Sequence, residues 1–390
     1  MKIDHPKTND IEQLKKLMQY CFLIDEENLD FVNEKSINDK NWLAVYDNEQ
    51  VAASLLINPF QIFFNDKVVK MGGIGAVSTF PEYRSQKYAG KLLQKALNQM
   101  HEKGQIFSML APFSYKYYRK YGWELAFNTI NYKLNINSFK KFKKDLRMNF
   151  RVVEDNNSKD IKKIYESYIK QYNGAIKRSD NDWEIKFKNH RKKNIYRYAC
   201  QDDNGDTTGY IFFKIKDRIM YIEELAYNSI ESKKNIFAFI YSHSSQLDKI
   251  RWRVPLDDNT LLMLDEADRS HEIELGMMFR IVDFEKALKT IELKDDISEV
   301  SFVIKIDDLY APWNDNTYNI VIEKGALQVE KVEDKEANIR SSIQAISQLI
   351  SGYGDLDTLH GMGKIKGNKK DIEKLKFLKS KRITFLNDYF

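Results

Sequence analysis

Gly73-Ile74-Gly75-Ala76-Val77-Ser78-Thr79-Phe80-Pro81-Glu82-Tyr83-Arg84-Ser85-Gln86-Lys87-Tyr88-Ala89-Gly90-Lys91-Leu92-Leu93 is the stretch that decides the fold. Gly73–Thr79 is a short apolar run and reads as a strand. A loop rich in small and basic residues follows. Then Ala89, Leu92, Leu93, Ala96, Leu97 and Met100 recur at helical spacing, which predicts an amphipathic helix. A strand that turns into a helix in this way leaves backbone N–H groups exposed at the helix N-terminus. That end carries partial positive charge and binds phosphate oxygens. Arg84 and Lys87 add full charges, so the junction suits a pyrophosphate.

Upstream, helix and strand alternate. Asn9 and Glu12 are spaced as a capping box. Ile11, Leu14, Leu17, Met18 and Cys21 then lie on one helical face. Strands are expected at 42–46, 51–57, 61–64 and 68–71, with turns at Asp47-Asn48 and Asn65-Asp66. Downstream, Ile106–Ala111 reads as a buried strand.

A second segment opens near Asn149–Val153, after a lysine-rich stretch, Lys140–Lys144, that reads as an exposed connection. Helices are expected at 161–172 and around Trp183. Strands follow at 196–200, 209–215 and 220–225, with a loop at Asp202–Gly205 between the first two. This order repeats the first segment and implies a duplicated domain. After Tyr227 the second copy carries no glycine-bearing phosphate loop, so one phosphate-binding junction is expected, in the first copy. From about Asp283 a third segment is predicted to form an antiparallel sheet, at 304–309, 317–323 and 326–331, and two helices, at 340–350 and 370–378.

Composition fits several folded domains. The chain has 390 residues, beyond an ordinary single domain, and 43% of them are hydrophobic, including 23 Phe and 22 Tyr. The 62 basic residues nearly balance the 57 acidic ones, so a nucleic-acid partner is not expected. Cys21 and Cys200 lie far apart, and the six histidines are scattered, which predicts no metal site and a reducing compartment. The start, MKIDHPKTND, has no apolar stretch behind its charge, and no run is long enough to span a bilayer. A cytoplasmic protein without a membrane partner is expected.

The phosphate-loop stretch resembles the signature of the GNAT acetyltransferases, Arg/Gln-x-x-Gly-x-Gly/Ala, here Arg84-Ser85-Gln86-Lys87-Tyr88-Ala89. Lys87 stands where that family usually has glycine, so a side chain or a strained backbone must be accommodated there, with Gly90 in partial compensation. The whole chain resembles the Eis (enhanced intracellular survival) branch. The resemblance rests also on Phe113–Glu124, on Met277–Asp283, which is similar to that branch's join to its third domain, and on the aromatic terminus, Phe390. It implies an α+β chain of three parts: a catalytic GNAT domain at 1–140, a degenerate GNAT-like domain at 141–285 and a sterol-carrier-protein-like domain at 286–390. It implies transfer of acetyl from acetyl-CoA to a primary amine, and a homo-oligomer, a hexamer. The acceptor would be a cationic amine: aminoglycoside-like, a polyamine or a lysine side chain.

The same resemblance places Val77 and Thr79 at the pantetheine and thioester. Arg84, Ser85, Lys87, Tyr88, Ala89 and Gly90 would hold the pyrophosphate. Tyr118 matches the family's general acid, although Tyr115, Tyr117 and Tyr121 are close and spacing alone excludes none. The terminal carboxylate of Phe390 would be the base. Asp25, Glu26, Glu27 and Asp388 could make the acceptor pocket acidic. Rival readings are a carrier of apolar ligands built on the third domain, and a domain that binds acetyl-CoA without catalysis.

Overall fold

The computed structural model describes residues 1–266, 271–293 and 299–390. The chain divides into two compact units: residues 1–126, 277–381 and 388–390, and residues 127–276 with 382–387. The first unit opens with β1 (Lys2–Asp4), α1 (Ile11–Phe22), α2 (Glu34–Asn38), β2 (Trp42–Asp47), β3 (Gln50–Phe64), β4 (Lys67–Thr79), α3 (Tyr88–Glu102), β5 (Phe107–Leu110), α4 (Tyr115–Arg119) and β6 (Glu124–Leu125). The strand period of two sorts the side chains of β2. Trp42 and Ala44 pack with Leu14, Leu17 and Met18 of α1, and Leu43 and Val45 pack with Leu92, Leu93 and Ala96 of α3. The two amphipathic helices therefore cover opposite faces of one sheet.

Two local expectations fail here. The capping box at Asn9 and Glu12 does not form. A 3-10 turn, Thr8–Asp10, precedes α1, and the Asp10 carboxylate accepts from the Lys7 N–H at 2.7 Å. The four short strands expected between 51 and 79 are two long ones, joined at Asn65-Asp66. Pro59 and Gly72, which lie between the expected strands, face each other in the ladder. Gly72 serves packing instead, since a Cβ there would stand 2.2 Å from the Met100 sulfur of α3.

The second unit holds β7 (Asn128–Asn135), β8 (Asn149–Val152), α5 (Lys159–Ile169), α6 (Asp180–Lys192), β9 (Tyr196–Gln201), β10 (Thr207–Lys216), β11 (Ile219–Tyr227), α7 (Ile230–Ser242), β12 (Lys249–Val254) and β13 (His271–Leu275). Its sheet runs β13-β7-β12-β11-β10-β9-β8. The lysine-rich stretch is not a bare connection. It forms a 3-10 helix, Ile136–Asp145, whose Phe139 and Phe142 are buried against Phe237, with ring centroids 5.0 and 5.2 Å away. The lysines occupy the outer face of that helix, and the aromatic spacing between them carries the packing.

The rest of the first unit is β14 (Met278–Ile281), α8 (Phe284–Leu288), β15 (Val300–Asp307), β16 (Thr317–Glu323), β17 (Ala326–Lys331), β18 (Ile339–Ser342), α9 (Ile343–Ser351), α10 (Leu356–Gly361), β19 (Ile365–Lys366) and α11 (Lys369–Glu373). Its sheet, β17-β16-β15-β18-β19, is mixed and not purely antiparallel, because β18 runs parallel to β15. Residues 340–342, expected to start a helix, are strand. The helix waits for Ser342, whose hydroxyl caps it by accepting from the Ala345 N–H. The Met277–Asp283 stretch is more than a join. It supplies β14 to the first sheet, which runs β1-β2-β3-β4-β5-β14-β6. Among the described residues no helix is long and apolar enough to cross a membrane.

Strand β14 also carries Arg280, whose side chain is fully buried. Its Nη2 donates to both carboxylate oxygens of Asp308, at 2.6 Å each, and its Nη1 donates to the Tyr121 carbonyl. Gly122 has φ 94°, and a Cβ there would stand 1.8 Å from that Nη1, so the turn after α4 must be glycine. Removing one member of a buried pair strands the other charge, which costs about 3–5 kcal/mol. Arg280→Met is therefore expected to lower unfolding stability by about that much, measured in denaturant. Arg280→Met combined with Asp308→Leu should cost clearly less than the sum of the two single changes. Additive losses would show that the pair is not a unit.

Candidate active site

The site is organised by β4. Strand β4 pairs antiparallel with β3 along its length, but its parallel ladder to β5 ends at the Ile74–Leu110 pair. Beyond that fork β4 continues to Thr79. Opposite Leu55 the ladder slips by one residue, and Ala76 takes φ 53°. This is a β-bulge, which re-aims the strand just past the fork. Val77 and Thr79 lie on this segment, with Val77 packed against the cluster that holds Ile74, Tyr88 and Tyr118.

After Thr79 the chain makes a 3-10 turn, Pro81–Tyr83, and reaches α3 through Arg84–Lys87. Arg84, Ser85 and Lys87 are exposed. Arg84 lies over the Tyr20 ring at 5.9 Å. Ser85 and Lys87 both have left-handed backbones, with φ 66° and 61°. Lys87 thus adopts the conformation that favours glycine, and its side chain projects outward. It occupies the N-cap position of α3, and no side chain caps that helix. The first-turn N–H groups of a 15-residue helix and two exposed cations therefore stand together. Tyr88, Ala89 and Gly90 form that first turn. Gly90 also serves packing. A Cβ there would meet the Tyr121 hydroxyl at 2.2 Å, so Gly90 admits a close-packed tyrosine.

Tyr118 lies on α4 and is 2% exposed. Its ring meets Phe113 and Tyr117 edge-on, with centroids 5.3 Å away in each case. Burial pushes its phenol above the ordinary tyrosine range, so it keeps its proton at neutral pH. Tyr117 is raised too, by burial and then by a hydrogen bond with Tyr121. Tyr115, Tyr117 and Tyr121 are half-buried around the same cluster.

The terminus sits on the same strand. The Phe390 ring packs on Phe60, with centroids 4.9 Å apart, and against Gly73, where a Cβ would come within 2.5 Å of it. Its carboxyl carbon would stand 3.4 Å from a Cβ on Gly75. Gly73 and Gly75 are thus the seat of the last residue, a role that sequence reasoning missed. The signal was present as glycines alternating along a strand, which mark close approach of another group. Asp25, Glu26 and Glu27 follow α1 as an exposed acidic turn. Asp388 is half-buried.

Comparison with known proteins agrees with this geometry. Residues 2–126 match an acetyltransferase (GNAT) domain, residues 174–281 match a second acetyltransferase (GNAT) domain, and residues 284–387 match a sterol carrier protein domain. No curated protein matches by sequence. Among solved structures, a conserved protein of unknown function from Enterococcus faecalis, described as a probable N-acyltransferase, is 24% identical with a TM-score of 0.90, over 100% of this chain and 99% of that one. A GCN5-related N-acetyltransferase from Anabaena variabilis is 23% identical with a TM-score of 0.85, over the whole of both chains. Eis1 from Mycobacterium abscessus is 14% identical with a TM-score of 0.78, again over the whole of both. At these identities the structures share the fold, and the family matches supply the chemistry. The chain belongs to the GNAT acetyltransferases: it is an N-acetyltransferase enzyme of α+β architecture that joins two domains of that family to a sterol-carrier-protein-like domain, in the arrangement of the Eis type.

Proposed function

We propose that this enzyme moves acetyl from acetyl-CoA directly to a primary amine on a cationic acceptor, with the first domain as its one coenzyme site. The observation that carries the reading is the crowding of three features on β4: the fork after Ile74, the uncapped start of α3 beside Arg84 and Lys87, and the Phe390 carboxyl against Gly75. The α3 N-terminus and the two cations hold the pyrophosphate. Val77 and Thr79 flank the pantetheine arm, where backbone N–H groups beyond the fork polarise the thioester carbonyl. The amine attacks that carbonyl, forming C–N and breaking C–S. Phe390 accepts the proton that the amine nitrogen gives up, through a water. Tyr118 donates its phenolic proton to the departing thiolate. A carboxylate at the acceptor side and the acidic turn after α1 favour cations, so aminoglycoside-like compounds, polyamines and lysine side chains are the acceptors to test. The assembly we infer from the Eis-type arrangement is a homo-oligomer, a hexamer.

The test is acetyl-CoA titration with thiol release across a panel of amines. One coenzyme per chain and amine-dependent release are expected. Coenzyme binding with no release for any amine would leave a binding protein in place of the enzyme proposed here.

Four variants probe the roles. Lys87→Gly removes a left-handed lysine, which costs about 1–2 kcal/mol. It should raise stability by about 1 kcal/mol, and weaken acetyl-CoA binding by about two- to five-fold through the lost charge. Lys87→Ala should weaken binding equally without the gain in stability. If Lys87→Ala binds the coenzyme normally, the lysine charge is not used. Tyr118→Phe should lower turnover by about 10²–10⁴-fold while acetyl-CoA affinity stays near normal. Unchanged turnover would transfer the acid role to Tyr115, Tyr117 or Tyr121. A Gly-Ser tag appended after Phe390 keeps the ring and moves the charge. It should abolish transfer in a folded chain that still binds acetyl-CoA, and normal turnover of the tagged chain would exclude the terminal carboxylate as base.

A further inference from the structure

Helix α9 belongs to the sterol-carrier-like part of the first unit, and one of its faces is polar although the helix is largely buried. Gln344, Ser347 and Gln348 recur at i, i+3 and i+4, so their side chains leave the helix on one side. Each of them bonds the backbone at the end of the first sheet. Gln344 Nε2 donates to the Arg119 carbonyl at 2.8 Å, and Gln348 Nε2 donates to the Leu125 carbonyl at 2.8 Å. The Ser347 hydroxyl accepts from the Ile281 N–H of β14 at 3.0 Å.

The two glutamines grip opposite ends of one segment. It runs from Arg119, the last residue of α4, to Leu125 of β6, and it begins immediately after Tyr118. Its middle is held too, since Arg280 donates to the Tyr121 carbonyl and the Tyr310 ring lies 4.7 Å from that of Tyr121. Within the segment, the buried Glu124 carboxylate accepts from Arg119 Nε at 2.7 Å and from the Leu125 N–H at 2.9 Å. Lys364, again from the sterol-carrier-like part, lies 3.7 Å from its other oxygen. Helix α4 has only five residues, Tyr115–Arg119. A helix that short has little stability of its own, so its place is set by what holds it. The Ser114 hydroxyl holds its start by accepting from the Tyr117 N–H, and Gln344 holds its last carbonyl.

We propose that the sterol-carrier-like part braces the general acid: Gln344 is a positioning residue for Tyr118, and Gln348 anchors the far end of the same segment. The proposal rests on the reading of Tyr118 as acid. A proton donor must stand within about 2.6–3.2 Å of the atom that it protonates. Misplacement of a catalytic group by about 1 Å can cost 10²-fold in rate. A bond to the residue next to Tyr118 therefore bears on turnover, while the start of α3, where the coenzyme phosphates are placed, is not touched by either glutamine. The third part of the chain thus acts on the chemistry through side chain to backbone bonds and not through a ligand of its own.

The test uses the full chain. Gln348 is buried, and its replacement risks the fold, so the variants are made at the half-buried Gln344. Gln344→Met keeps the length and removes the donor, and Gln344→Lys restores a donor. Gln344→Met should lower kcat by about ten-fold or more, leave KM for acetyl-CoA unchanged, and speed hydrogen exchange of the amides of residues 115–125 in the chain without coenzyme. Gln344→Lys should stay near the parent in all three. In a Tyr118→Phe background, Gln344→Met should add little further loss, because the hydroxyl that it positions is already gone. A full additional ten-fold loss there would mean that Gln344 acts on something other than the acid, and would overturn the proposal. So would a lowered melting temperature with normal kcat, which is the mark of a purely structural contact, or a Gln344→Lys chain as slow as Gln344→Met. The two readings fail separately. Normal turnover of Tyr118→Phe removes the acid itself, whereas a slow Tyr118→Phe chain beside Gln344→Met of normal kcat removes only the brace.

Discussion

The Arg280–Asp308 pair is the constraint on which the first unit depends. A guanidinium with no exposed side-chain surface must find its hydrogen bonds inside the protein, because an unpaired buried charge is too costly to keep. Asp308 supplies two, and the Tyr121 carbonyl supplies another. Asp308 is in turn bonded by Asn314 Nδ2 at 3.1 Å, and Asn314 also donates to the Val282 carbonyl and accepts from the Phe284 N–H. One ionic contact thus ties strand β14, the turn after the tyrosine-bearing helix α4 and the start of the sterol-carrier-like fold into a single polar network. Such networks specify geometry more than they add stability, because each member has few alternative partners. Here the geometry they specify includes the position of α4.

The proposed chemistry is concentrated on one strand. A parallel partner that stops early leaves a strand with one ladder intact and the other edge open. Strand β4 uses both properties. The ladder to β3 holds it along its length, and the edge past Ile74 is where the proposed reading sets the substrate. The bulge at Ala76 turns the strand at the point where pairing ends. Small residues are needed on both sides of this point for different reasons. Gly73 and Gly75 admit the terminal residue, and Gly72 admits Met100.

Much of this was legible in the sequence, for a physical reason. Helix α3 and the buried strands around it are dictated by local periodicity, and Ala89, Leu92, Leu93, Ala96, Leu97 and Met100 define their face without reference to anything distant. The stretch proposed to hold phosphate is legible as structure because it is local: a turn, two cations and a helix start. What failed was whatever depends on a distant partner. The strands expected at 51–57 and 61–64 are one, as are those at 68–71 and 73–79, because the pairing of Pro59 with Gly72 that carries each strand through is not a local property. Lys140–Lys144 looked solvated because the charge outweighed the Phe139 and Phe142 spacing until Phe237 was placed against them. Met277–Asp283 read as a join, since nothing in seven residues says that they complete a sheet begun at Lys2. The pairing of Arg280 with Asp308 was invisible for the same reason.

The two copies show how one geometry serves two ends. In the first, Lys87 opens α3 with a left-handed backbone and no side-chain cap, so the helix start remains available. In the second, only Asn228 and Ser229 separate β11 from α7. The Ser229 hydroxyl accepts from the Ser232 N–H at 3.1 Å and closes the helix start. Lys233, one residue further, is fully buried against Asp258 at 3.1 Å, so its charge is spent internally. A phosphate needs unengaged donors and unneutralised cations, and this helix start presents neither at Ser232 or Lys233. The fork in the sheet survives regardless, because it follows from where β12 stops and not from what binds there. An open fork between strands exposes apolar side chains and backbone groups together, which favours filling it. In the second copy Phe385 and Asn387 do so. The second copy has therefore kept the fork of the fold, with Phe385 and Asn387 as its lining.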